Sequence, residues 1–130
     1  MQFQKLGNIR AKHPRLRKLI DDLAAYIEAQ LANGADKFVP ALVARHLGVS
    51  EAQALGLLAA FEDEGLVRSA YEVVCKGTST VLATVHSKSQ LAELLPIHCE
   101  FCDSDHGADD LSVELVFEVV AAPAQRNAFA

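Results

Sequence analysis

The sequence predicts an α+β protein, helical through its first half and stranded through its second. Two observations carry this. Apolar residues recur at intervals of three and four from Leu16 to Leu31, which is the stripe of an amphipathic helix. Near the other end, Leu111, Val113, Leu115, Phe117 and Val119 alternate with Ser112, Glu114 and Glu118, as a strand with one buried face requires. With 130 residues, 51% of them apolar, the chain can build one good core, or two small lobes that share one. No apolar run approaches the roughly 18 to 20 uncharged residues needed to cross a bilayer. The basic start MQFQKLGNIRAKHPRLRK has no apolar segment behind it of the kind a secretory signal carries. The expectation is a soluble, cytoplasmic protein with no membrane partner.

Taken in order, residues 1–13 read as a flexible arm. Pro14 suits a first helical position, and the stripe Leu16, Leu19, Ile20, Leu23, Ile27, Leu31 runs to an Asn33-Gly34 stop. After a short extended KFV, Pro40 opens a second helix over ALVARHL, which Gly48 ends. Ser50 caps a third helix, and Gln53 three residues later completes a capping-box pattern; this helix reaches about Glu64 before Gly65. Val67, Tyr71, Val73 and Cys75 share one face of an alternating segment, and KGTS at 76–79 is a turn into TVLATVH. SKSQLAELL holds a helical turn or more, closed by Pro96, ahead of the last strand. The tail 122–130 reads as frayed.

Residues 41–67, ALVARHLGVSEAQALGLLAAFEDEGLV, resemble the helix-turn-helix of the winged-helix superfamily. Ala44, Leu47-Gly48-Val49-Ser50 at the turn, Leu58, Phe61 and Gly65-Leu66-Val67 stand where that pattern has its alanine, its turn, its inward residues and the lead into a wing. The resemblance covers about residues 14–86. It implies a three-helix core with a β-hairpin wing over 14–74; separately, the layout of strands and cysteines over 75–121 resembles a zinc ribbon and is expected to form a small antiparallel β lobe.

Fold does not fix function, and the helix that would read bases departs from the DNA-binding pattern. SEAQALGLLAAFEDE contains no lysine or arginine, whereas base edges and phosphates are met by basic and amide side chains. If Leu58 and Phe61 face inward, Ala52, Leu55, Gly56 and Ala59 share the outward side beside Glu51. That shallow stripe suits a partner helix, or simply covers another part of the chain. The net charge of −5 conceals an asymmetry, because six of the twelve basic residues precede the first acid, Asp21. Lys12, Arg15, Arg17 and Lys18 could therefore touch nucleic acid through charge alone.

Three cysteines are an odd number for a secreted disulfide framework. Reduced thiols available to a metal follow. Cys99 and Cys102 have the C-x2-C spacing that lets two thiolates converge on one tetrahedral ion. Cys75 ends a strand ahead of a knuckle-like turn, but Thr78 stands where a ribbon has its second cysteine. A fourth ligand must then be a histidine or a water. His106, four residues after Cys102, is the first candidate, then His98 and His86, with His98 adjacent to Cys99 and so turned elsewhere. The metal expected is zinc; the competing reading is a ribbon without its metal, in which Cys75 is a small buried apolar residue. There is no glycine-rich phosphate loop, no G-x-S-x-G and no H-E-x-x-H. The expected role is therefore binding without catalysis: an adaptor or regulatory subunit docked on a partner protein, or alternatively a DNA-binding regulator using the basic arm and wing.

Overall fold

Leu6 and Ile9, one helical turn apart, are both buried, and they anchor a helix where a flexible arm was expected. The computed structural model describes residues 2–120. Helix α1 spans Phe3–Lys12, with Arg10 and Lys12 in its last turn, where cations favour the helix dipole. Its basic residues are thus partly a device of helix stability. A single 3-10 turn at Pro14–Leu16 leads into α2, Arg17–Ala32, which buries Ile20, Leu23, Ala24 and Ile27. Arg10 locks the corner through Asp21, with Nη2 and Oδ1 2.6 Å apart.

Strand β1 is only Lys37–Phe38. Helix α3, Pro40–Leu47, ends at Gly48, whose φ of 70° lies in the left-handed region that glycine enters without strain. Helix α4, Glu51–Asp63, opens on a complete capping box: Gln53 N–H donates to Ser50 Oγ at 3.1 Å, and Ser50 N–H donates to Gln53 Oε1 at 3.0 Å. Ala54, Leu57, Leu58 and Phe61 form its buried face.

The strands follow: β2 (Val67–Cys75), β3 (Val81–Val85), then α5 (Lys88–Leu94), β4 (Ile97–Cys99), β5 (Ser104–His106), a 3-10 turn at Ala108–Asp110, and β6 (Leu111–Val119). Strands β1, β6, β2 and β3 make one sheet in that order, and β4 with β5 makes a separate two-stranded ribbon. The last strand therefore takes a place between β1 and β2, with Lys37 opposite Glu118 and Phe38 opposite Phe117.

Two compact units result, one of residues up to Arg68 with the strand end from Phe117, the other of Ser69–Val116. The boundary falls inside β2 and β6, not after residue 74. This accounts for a departure in β6. Val113 is exposed, while the adjacent Val116 and Phe117 are both buried, so the expected strict alternation fails. A strand whose neighbouring residues belong to two cores need not keep one buried face.

In the first unit, the helices bury Ile9, Ile20, Leu23, Ile27, Val43, Leu58 and Phe61. In the second, Val73, Val85 and Leu111 form a core lined by Tyr71, Leu82, Leu91, Leu95 and Ile97. No helix among the described residues is long and apolar enough to cross a membrane. The tail 122–130 lies outside the described residues.

Candidate metal centre

Every residue of the centre belongs to the second unit. Cys75 is the last residue of β2, and the β2–β3 turn closes behind it through Ser79 N–H to the Cys75 carbonyl, 2.8 Å, and Cys75 N–H to the Thr80 carbonyl, 2.9 Å. The ribbon supplies the rest. Cys99 ends β4, Cys102 lies in the turn, and His106 ends β5. Ile97 pairs with His106 and Cys99 with Ser104. Since alternate residues of a strand share a face, Cys99 and His106 project from the same side of the ribbon. His98 and its cross-strand partner Asp105 take the other side, hydrogen-bonded to each other at 2.9 Å. Register therefore selects between the two histidines that flank the cysteine pair.

The four ligand atoms of Cys75, Cys99, Cys102 and His106 all lie within 4.8 Å of one another. Cys75 Sγ is 3.7 Å from Cys102 Sγ and 3.5 Å from His106 Nε2. Zinc bonds of about 2.3 Å to sulfur and about 2.0–2.1 Å to nitrogen give tetrahedral edges of about 3.8 Å and about 3.6 Å. Both observed edges have those lengths, so the residues fit a zinc ion. Three soft thiolates and an imidazole are also the donor set that zinc prefers. Cys75, Cys99 and His106 are buried, at 1%, 0% and 8% exposure, whereas Cys102 reaches solvent.

Hydrogen bonds within the cluster move two of its thiols in opposite directions. The Thr78 hydroxyl, then the Thr78 and Gly77 backbone N–H groups, hold the Cys75 thiol down to about 6 against the desolvation that opposes them. Hydrogen bonding to Cys75, then to Cys99, pushes Cys102 up to about 11. Without an ion, these thiols share protons in place of a positive charge. A dication removes that conflict and makes thiolate of each sulfur it binds.

Thr78, a departure from the ribbon pattern, thus has a use that sequence spacing alone did not indicate. It is not among the clustered donors; it lowers the pKa of one, Cys75. Its hydroxyl oxygen also lies 2.9 Å from that of Thr80. Gly77 is close by as well, since a Cβ there would stand 3.9 Å from Cys75 Sγ. Outside the ligands, Asp110 Oδ2 lies 3.8 Å from His106 Nδ1 and accepts from Gly107 N–H at 3.3 Å. A carboxylate on the Nδ1 side favours the tautomer that leaves the Nε2 lone pair for the metal. The signal for it was present in the sequence, in the His106–Asp110 spacing, but five acids in this segment offered no way to choose among them.

The other expected site residues lie in the first unit. On α4, Glu51, Ala52, Gly56 and Ala59 are exposed and Leu55 is half-buried, opposite the buried Ala54, Leu57, Leu58 and Phe61. The stripe does face outward. Lys12, Arg15, Arg17 and Lys18 are exposed, but Lys12 lies 3.8 Å from Glu64 and Lys18 3.0 Å from Asp22, so half of that basic cluster is already paired. No family model, curated protein or solved structure matches the chain.

Proposed function

We propose that the chain is a zinc-stabilised binding module, an adaptor or regulatory subunit without catalytic activity of its own. The observation that carries this is the donor set: Cys75, Cys99, Cys102 and His106 gather within 4.8 Å, enough to fill all four positions of a tetrahedral ion. Catalytic zinc keeps one position open for water or substrate, whereas structural zinc does not. When bound, the ion would tie the end of β2 to the β4–β5 ribbon, a short two-stranded element that by itself is marginal in water. The chain's own residues prepare the place: Thr78 and Gly77 hold charge on Cys75, and the ribbon register sets Cys99 and His106 on one side.

Helices α2, α3 and α4, the glycine turn at Gly48 and the hairpin that follows support the reading of residues 14–74 as a winged helix. Against a DNA-reading role stands the surface of α4, which presents Glu51, Ala52, Gly56 and Ala59 and no cation. This supports a partner protein docked along α4, with Leu55 at the centre of the contact. The nucleic-acid reading rests on the exposed Arg15 and Arg17; it requires binding that fades steeply with salt.

Elemental analysis of protein purified without chelator tests the zinc claim. About one zinc per chain is expected, with a fall in melting temperature on chelation. Substoichiometric zinc with a melting temperature indifferent to chelator would overturn it.

A further inference from the structure

Of the three thiols in the centre, Cys75 and Cys99 are buried and Cys102 alone is exposed. The exposed sulfur is also 3.7 Å from a buried one, Cys75 Sγ. An oxidant that is held out of the interior can reach only Cys102, and any oxidised species formed there has a resolving thiol in contact. Exposure and a neighbouring resolving cysteine are two features of redox-sensing thiols; the third, thiolate character, would come to Cys102 from the bound zinc. Residues 97–110 also carry Glu100, Asp103, Asp105, Asp109 and Asp110 with no lysine or arginine among them, and the nearby Lys76 ammonium is engaged at the Asp109 carbonyl, 3.0 Å away. That acidic surround disfavours anionic oxidants and leaves neutral ones.

We propose that Cys102 is an oxidation site for a neutral hydroperoxide, and that its oxidation joins it to Cys75 and expels the metal; this rests on the zinc reading above. In the first step, written for hydrogen peroxide, the Cys102 thiolate attacks one peroxide oxygen. The O–O bond breaks, hydroxide leaves, and a sulfenic acid remains on Cys102. In the second, the Cys75 thiolate attacks that sulfur, the S–S bond forms, and the S–O bond breaks with loss of a second hydroxide. Two electrons pass from the two sulfurs to the peroxide. Cys99 and His106 are then the only ligands left, too few to retain the zinc, which departs as the dication. A thiol reductant reverses the chemistry and restores the ligand set. The ribbon that zinc holds to β2 becomes, on this account, a peroxide-responsive element.

The test treats the full, zinc-loaded chain with hydrogen peroxide and follows zinc release with a chromogenic chelator. Intact mass and peptide mapping follow the thiols. The expected result is release of zinc, a mass about 2 Da below the reduced metal-free chain, and a Cys75–Cys102 linkage, all reversed by reductant when zinc is resupplied. Any replacement of Cys102 also removes a ligand, so the site of first attack is read on the parent chain by trapping the sulfenic acid with dimedone during the reaction. The adduct is expected on Cys102 and on neither Cys75 nor Cys99. Zinc that stays bound through oxidation, a dimedone adduct on Cys75 or Cys99 and not on Cys102, or a Cys99–Cys102 linkage in place of Cys75–Cys102 would overturn the proposal and leave the zinc reading standing. A chain that cannot be loaded with zinc at all overturns both.

Discussion

Cys75 Sγ and His106 Nε2 stand 3.5 Å apart although one ends β2 and the other ends β5. That separation matches the sulfur–nitrogen edge expected of a zinc tetrahedron, and on the zinc reading it makes His106 the residue on which the fourth ligand position depends. Replacing His106 by Ala should abolish stoichiometric zinc and lower the melting temperature, whereas His106→Cys should restore a four-ligand set. Metal analysis and thermal melting of the two variants check this. Equal zinc content in His106→Ala and the parent would remove His106 from the site.

Asp110 acts one step further out. Its carboxylate is 3.8 Å from His106 Nδ1, longer than a direct hydrogen bond, so Asp110→Asn should weaken zinc about tenfold, at the low end of what such supporting groups contribute. Competition with a chelator of known affinity measures it. No change would mean that Gly107 N–H, and not the imidazole, is the partner that matters.

The pH dependence has a definite sign. Cys75 falls from 9.0 to about 6 through Thr78 and the turn amides. A thiol with a folded pKa below its unfolded value adds stability that is complete above the unfolded pKa and is lost as pH falls through the folded one. In the metal-free chain, one thiolate should therefore appear near pH 6, with a matching gain in stability between there and pH 9. Ultraviolet thiolate absorbance follows the titration. Thr78→Val removes the largest contribution and should shift this first step upward; a first step that stays in place would show that Thr78 does not hold the charge.

On α4, Leu55 and Leu58 separate surface from core. Leu58 is fully buried and Leu55 half-buried on the outward side. Leu58→Ala should cost about 2–5 kcal/mol of stability. Leu55→Arg should leave the melting temperature nearly unchanged and abolish capture of a partner that co-purifies with the parent chain, because an unpaired charge buried in the contact costs several kcal/mol, on the order of 3–5. An unfolded Leu55→Arg protein would make Leu55 core; normal capture would move the contact off α4.

What was legible in the sequence was what is local. The Ser50–Gln53 box and the Gly48 turn each depend on residues within a few positions, and so does the Cys99–Cys102 pair. Helix α1 was missed because Leu6 and Ile9 are too few to make a stripe. The sequence already favours His106 over His98, because His98 is adjacent to Cys99; what it could not supply is the pairing of Ile97 with His106 that sets His106 on the cysteine side, since no local pattern encodes a strand register. The same holds for β6, whose place between β1 and β2 depends on residues far away in the chain. Strict alternation was the wrong expectation there, since Val116 and Phe117 are buried side by side.

Zinc K-edge X-ray absorption of the chain as purified tests the central claim most directly, because it reports the identity and number of the ligand atoms. The account predicts three sulfurs at about 2.3 Å and one nitrogen at about 2.0–2.1 Å, with no water oxygen. A shell of nitrogen and oxygen alone, or one with a single sulfur, would contradict it.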